Sequence, residues 1–393
     1  MAKRSLLLYL LMPGIVVLYS FCIILYILVK LTLLSVSGLS SKGCLRYKDV
    51  KTVTDSVSDA MLNTTHVISD ITLTVIGTGA GVVVEIMGGE KNGRKCPKPK
   101  SLNNERWIES LDPGLTLADV VLPGAHHHGL VEGLSHYEGP IPGGKVLDWA
   151  VTQSIGVSDQ LKSGARFLDI RLTKVGDQIF TAHGREQKIL TLGIPFADIL
   201  SAHVKFLKEN KREFLVWNLQ WEFGAAAWDE VEDMLDSVQE EYFYTGENPL
   251  HQSLSVLEGK ILICREGEVN LERYRVLECL GSWPYTMEKD PEELIENIKQ
   301  YSKHPPSSFS YIEAVATIDI EGLIDSVNVF SDNADNLKDL ACDVNKELTE
   351  SLLTEENRNL SVNFHTVMVD FLVHHQVISG IMDFNRHKNY KSK

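Results

Sequence analysis

Residues 165–172 read Ala-Arg-Phe-Leu-Asp-Ile-Arg-Leu, and the fold turns on how that stretch is read. Side chains alternate faces along a strand, so Leu168, Ile170 and Leu172 share one face, while Phe167, Asp169 and Arg171 share the other. The apolar set belongs against helices. Asp169 and Arg171 then point the opposite way, into an enclosed space, where charged groups persist only when paired or functional. A structural ion pair is the plain alternative. Residues 213–222 repeat the pattern: Leu215, Trp217, Leu219 and Trp221 alternate with Asn218, Gln220 and Glu222. An apolar outer face and a polar inner one suit the wall of a barrel.

Working outward, further strands are expected at 118–124, 178–183, 260–266, 279–285, 310–318 and 365–372. Helical patterns fall between them. In 195–211, Pro195 opens a helix whose stripe is Phe196, Ile199, Leu200, Val204 and Leu207. Trp228, Val231, Leu235 and Val238 do the same in 226–242, and a last helix is expected at 374–386. Alternation of strand and helix over ~290 residues predicts an α/β domain, 106–393, with a parallel sheet. Its length suits an irregular (β/α) TIM-type barrel, with an open doubly wound sheet as the alternative.

Upstream, residues 5–29 are 25 uncharged residues, enough to span a ~30 Å hydrocarbon core. They predict a single N-terminal transmembrane signal anchor rather than a cleaved signal peptide, whose apolar region is shorter. Lys30, Lys42, Arg46 and Lys48 after the run favour a cytoplasmic domain. The sequons at Asn63 and Asn359 favour the other side. The short basic amino end before a long apolar run tips the expectation to a lumenal or extracellular domain. Residues 37–105 form a polar connector with a β-hairpin pattern at 71–89. Its Gly77-Thr78-Gly79-Ala80-Gly81 lacks dinucleotide-binding spacing. Lys+Arg number 38 against 53 Asp+Glu, a net charge of −15, which disfavours a nucleic-acid partner. The six cysteines form no zinc-type pair; Cys44 and Cys96 could bracket a small disulfide loop.

In a barrel, reactive groups gather at the carboxyl ends of the strands. Three histidines, His126, His127 and His128, stand where the first strand ends. Neighbours on an extended chain point apart, so they are not expected to share one ion. His128 is expected to be dispensable, and a lone surface histidine is the bland reading. His183 ends another strand, and Asp370 lies in the otherwise apolar 367–372. Two histidines, two aspartates and an arginine suit cleavage of a phosphodiester by an internal hydroxyl. One imidazole takes the proton of the attacking group and the other protonates the leaving oxygen. A guanidinium offsets the growing charge.

These segments resemble the X domain of phosphatidylinositol-specific phospholipase C. The resemblance rests on LPGAHHHG (122–129), GARFLDIR (164–171), AHG (182–184) and VMVDFL (367–372), in order, with WIESLDPGLTLADVVLPGAH before and WAVTQSIGVSDQLKSG between. Within the metal-independent bacterial and trypanosome branch, the histidine-rich loop and REFLVWNLQWEFG look nearer the trypanosome type that cleaves glycosylphosphatidylinositol anchors than the soluble bacterial type. The resemblance implies roles: His126 as general base with Asp370 as its partner, His183 as general acid supported by Asp169, and Arg171 as the phosphate ligand. It implies that Arg265, Gln220 and Tyr285, with Trp283, contact the head group. His127 stands where bacterial members have Asp, and Gln220 where they have Lys. Calcium-dependent relatives place carboxylates where this chain has His127, Arg171 and Gln220, so no metal or other cofactor is expected. The implied activity is cleavage of phosphatidylinositol, or its glycosylated form, to diacylglycerol and a cyclic inositol phosphate at a membrane. The competing reading is an X domain that only binds lipid or protein. A metal-dependent glycerophosphodiesterase would need a Glu-x-Asp pair that Asp169-Ile170-Arg171 does not supply.

Overall fold

In a computed structural model, the described residues are 103–390 except 139–142, 186–188, 239, 266–268, 283–289, 303–307, 317–335 and 355–363. The expected membrane helix, nearly all of the connector, both sequons' asparagines, Trp283 and Tyr285 lie outside them. Among the described residues no helix is long and apolar enough to cross a membrane.

Among the described residues ten strands run β1 (Leu122–Ala125), β2 (His136–Glu138), β3 (Phe167–Val175), β4 (Gln178–Arg185), β5 (Ile189–Pro195), β6 (Leu215–Trp221), β7 (Ile261–Arg265), β8 (Val276–Gly281), β9 (Phe309–Ala314) and β10 (Thr366–Val369). Seven of them close a parallel ring in the order β1, β10, β9, β8, β7, β6, β3. Gly124 opposite Phe167 and Ala125 opposite Leu168 shut it. This is the expected TIM-type α/β barrel, in an irregular form. Register carries the pleat around the ring: Asp169 lies beside Asn218 and Arg171 beside Gln220. The inner faces therefore hold Phe167, Asp169, Arg171, Asn218 and Gln220. Phe167 packs on Phe309 and Tyr311 with ring centroids 6.0 and 5.1 Å apart, so the barrel floor is a filled core.

The helices cover the outside because their stripes match it. Phe196–Glu209 buries Phe196, Ile199, Leu200, Val204 and Leu207. Trp228–Ser237 buries Trp228, Val231 and Leu235. Pro291–Tyr301 begins on Asp290, whose Oδ1 accepts from the backbone of Glu292 and Glu293 at 3.0 and 3.1 Å. Such a cap contributes about 1 kcal/mol. The expected last helix is Val377–Tyr390.

Several features depart from the sequence expectation. The strand expected at 118–124 is shortened to Leu122–Ala125, with Leu117–Asp119 a 3-10 turn. The helix expected at 226–242 stops at Ser237, and β2 and β5 fall outside the expected strands. The strand expected at 279–285 begins earlier, at Val276. The largest departure is at β4, which leaves the ring. β3 outruns its barrel neighbours, and its outer half, Leu172–Val175, pairs antiparallel with β4. The two-residue connection Gly176-Asp177, with Gly176 at φ 59°, is too short for a parallel crossover and forces the chain straight back. β4 continues antiparallel into β5, and β5 into β2. His183 therefore rides on a three-strand extension above one side of the mouth.

Beneath β3, Arg166 is fully buried and fully bonded. Its guanidinium donates to Glu213 Oε2 at 2.8 and 2.7 Å and to the carbonyls of Leu161, Ala165 and Glu105 at 2.9, 2.7 and 2.8 Å. Burial lowers its pKa, against the Glu213 carboxylate, which pulls the other way.

Candidate active site

The site forms where β1, β3, β6 and β10 end. His126 is the first residue past β1, and its backbone N–H donates to Val369 at 3.1 Å. Asp370 is the first residue past the adjacent β10. Their side chains meet, with His126 Nδ1–H donating to Asp370 Oδ1 at 2.7 Å. That bond fixes the tautomer and leaves Nε2 with a lone pair facing the mouth. Burial pushes the His126 pKa down, but the charge and hydrogen bond of Asp370 outweigh it, so the net shift is upward.

Asp169 Oδ2 accepts from Arg171 Nε and from the His127 backbone, both at 3.1 Å, and Oδ1 accepts from Asn218 Nδ2 at 3.2 Å. Arg171 is thereby aimed, with Nη2 at 3.3 Å from His126 Nε2. Burial lowers its pKa, but Asp169, Glu222, Glu313 and the Tyr311 hydroxyl more than reverse this, so it stays charged. A fixed guanidinium beside an imidazole lone pair is an anion-binding group poised next to a base.

The histidine run is not extended. His127 has φ 38°, a left-handed turn that breaks the alternation expected from sequence. Its ring comes edge-on to both His126 and His183, with centroids 4.3 and 4.2 Å apart. His127 Nε2 lies 2.9 Å from His183 Nδ1. Burial, then the charges of Arg171, His183 and His126, hold the His127 pKa well below the usual histidine value. Held neutral, His127 can exchange a hydrogen bond with His183 through this contact. This corrects the role given to Asp169: it is not the support of His183. Among the described residues a carboxylate that approaches His183 is Glu222, at 3.8 Å, because β4 has left the ring and sits over the end of β6. Glu222 Oε1 also accepts from the Gly184 N–H at 3.1 Å. Burial raises its pKa, with Arg171 and that N–H opposing.

His128 is not a surface residue either. It is fully buried, with Nδ1 2.7 Å from Gln160 Oε1 and Nε2 2.9 Å from His203 Nε2. Gln160 Nε2 donates to the carbonyls of His128 and Ile155 at 3.1 and 2.9 Å, which settles the amide's orientation. His128 therefore carries its proton on Nδ1, and His203 donates from Nε2. His203 Nδ1 has no partner among the described residues.

Of the proposed head-group contacts, Gln220 shares the inner face with Arg171. Arg265 does not. Asn218 stands opposite Cys264, so the pleat groups Arg265 with Ile261 and Ile263 on the outer face. Its guanidinium donates to the Val269 carbonyl at 3.1 Å. Sequence reasoning also passed over Thr152 and Gln153, which are buried against the ends of β1 and β10.

His126, His127 and Asp169 offer ligand atoms within 4.8 Å of one another. The set does not suit a hard cation, having one carboxylate and two imidazoles. The Arg171 guanidinium already donates into that space, so no step is routed through a metal.

Fold and site together define a closed α/β barrel with an acid–base and anion-binding cluster at its carboxyl mouth. A family model described as "Phosphatidylinositol-specific phospholipase C, X domain" matches residues 146–267, so the resemblance drawn from the motifs holds over that span. Asp169, Arg171, His183, Gln220 and Arg265 fall inside it; His126 and Asp370 fall outside and rest on geometry. The chain is 27% identical over 181 residues to the Listeria monocytogenes "1-phosphatidylinositol phosphodiesterase", covering 44% of this chain and 53% of that protein. It is 24% identical over 173 residues to the Staphylococcus aureus protein of the same name, covering 44% and 48%. It thus spans about half the length of the curated relatives it matches. In fold it is similar to a solved phosphatidylinositol-specific phospholipase C from L. monocytogenes, with TM-score 0.52, 20% identity, and 72% of this chain and 99% of that one covered. The S. aureus structure gives TM-score 0.53, 19% identity and 72% and 99% coverage.

Proposed function

We propose that this protein cleaves phosphatidylinositol, or its glycosylated form, by intramolecular phosphoryl transfer. His126 Nε2 removes the proton from the inositol hydroxyl next to the phosphodiester. That oxygen attacks phosphorus, Arg171 offsets the charge on the phosphate oxygens, and His183 protonates the departing diacylglycerol oxygen. The products are diacylglycerol and a cyclic inositol phosphate. Asp370 holds the base tautomer and stabilises the imidazolium; Asp169 aims Arg171. The observation that carries the reading is the 2.7 Å His126–Asp370 bond with Arg171 3.3 Å from the opposite ring nitrogen.

The residue 5–29 run supports a membrane tether that holds the barrel near a lipid substrate. A disulfide-bonded Cys342 supports the lumenal or extracellular side. Retention in the membrane fraction after alkaline carbonate washing tests the tether; release of a form starting near Gly38 counts against it.

The activity is tested with the full chain in mixed micelles of detergent and phosphatidylinositol, with and without excess chelator. A cyclic inositol phosphate should appear in both. Loss with chelator and rescue by calcium would refute the metal-free mechanism. Binding of the lipid without turnover would mark a binding module instead.

A further inference from the structure

The base and its carboxylate partner sit on different strands, and each is followed by a strained residue: His127 at φ 38° and Phe371 at φ 49°. Neither is glycine, so both turns need to be held by their surroundings. The segment that holds them is Thr152-Gln153. Gln153 Nε2 donates to the His126 carbonyl at 2.9 Å and to the Val369 carbonyl at 3.3 Å, and its Oε1 accepts from the Leu372 N–H at 3.3 Å. Thr152 Oγ1 donates to the carbonyls of His126 and His127 at 3.0 and 3.1 Å. The Thr152 carbonyl accepts from the Phe371 N–H at 2.6 Å. Both residues are 1% exposed, so water does not replace these bonds.

We propose that Gln153, assisted by Thr152, is the positioning residue that sets the register between His126 and Asp370. The inference rests on the proposed acid–base reading for its kinetic arm only. One primary amide bridges the carbonyl preceding Asp370, the carbonyl of His126 and an N–H on the far side of Asp370. No other residue described at the mouth spans both turns with its side chain in this way. Asn345 braces only the second turn, donating to the carbonyls of Asp370 and Phe371 at 2.9 and 3.3 Å. Without the amide, the two turns can relax independently, and the His126 Nδ1–H donor slides out of line with Asp370. The cluster would survive, but with the base misaimed.

Gln153→Met keeps the bulk and removes all three bonds; Thr152→Val is the milder second variant. Both are made in the full chain, and far-ultraviolet circular dichroism checks the fold. Expected kinetics on phosphatidylinositol micelles are a fall in kcat of about 10²-fold for Gln153→Met, the scale of a ~1 Å misplacement, with KM little changed. The second readout needs no turnover: the low-field proton resonance of His126 Nδ1–H, assigned by its loss in Asp370→Asn, should move upfield or broaden in both variants. An inactive parent whose resonance still moves in the variants would refute the activity reading while upholding the positioning role. A resonance and kcat unchanged in folded Gln153→Met overturn the proposal. If that variant does not fold, an unchanged resonance and kcat in Thr152→Val do so.

Discussion

Replacing His128 by alanine should destabilise the protein strongly although His128 touches neither proposed catalytic ring. The magnitude follows from what is left behind. Gln160 Oε1 loses its only donor among the described residues, at 2.7 Å, and His203 Nε2–H loses its acceptor, at 2.9 Å. Both sites are closed to water. An orphaned buried polar group costs about 1–3 kcal/mol, so two cost roughly 2–6 kcal/mol, before the cavity left by the ring is counted. Chemical denaturation at pH 7.5 measures it as a drop in the urea midpoint at constant slope. His203→Ala should cost less, since among the described residues it orphans only His128 Nε2, and the double variant less than the sum, because the second change removes a group already orphaned. The pair also predicts acid sensitivity. Burial pushes the His128 pKa down to about 4, with the Gln160 bond and Asp169 charge opposing only in part; burial and His128 lower that of His203 as well. Between the ordinary histidine value and about 4, the unfolded chain binds protons that the folded one refuses. Stability is therefore intact above pH ~6.5 and lost as pH falls toward ~4, by roughly 3 kcal/mol for His128 at about 1.4 kcal/mol per unit. A His128→Ala protein within about 1 kcal/mol of the parent, with unchanged acid sensitivity, would refute this account.

Other perturbations separate the parts of the site. Asp370→Asn should lower kcat about 10²–10⁴-fold by releasing the His126 tautomer, seen in steady-state assays with the fold intact. Arg171→Lys should be comparably severe, since an ammonium cannot hold Asp169 and phosphate oxygens at once; phosphate inhibition should weaken in parallel. His127→Asp gives His183 an anionic partner, so the alkaline limb of the kcat/KM profile should move to higher pH; movement to lower pH would contradict the contact inferred for His183. Glu213→Ala strands a buried guanidinium and should cost about 3–5 kcal/mol, read by denaturation.

The barrel and the polar mouth were legible because period two is a local property. Asp169, Arg171, Asn218 and Gln220 follow from counting along two strands. The same count applied to Ile261, Ile263 and Arg265 sets Arg265 on the outer face. What stayed hidden was set by tertiary structure. The left-handed turn at His127 arises from bonds to Asp169 and Thr152, which lie far along the chain. Gln160 and His203 claim His128 from 32 and 75 residues away, and nothing in three consecutive histidines says which one turns inward. The exit of β4 from the ring had a local sign in Gly176-Asp177, a tight-turn pair between two strand patterns.

The three-strand extension makes the two halves of the proposed chemistry separable. His126 is rooted in the closed ring, whose unpairing requires the barrel to open. His183 is held by a meander that, among the described strands, joins the ring through β3 alone, the type of element that opens locally at lower free energy than the body it joins. Fraying of that meander would strip the leaving group of its proton donor while the attacking group kept its base. Substrates would then divide by the basicity of what departs. An ester that leaves as a stable phenolate would still be cleaved, whereas a lipid alkoxide would wait for the meander to close.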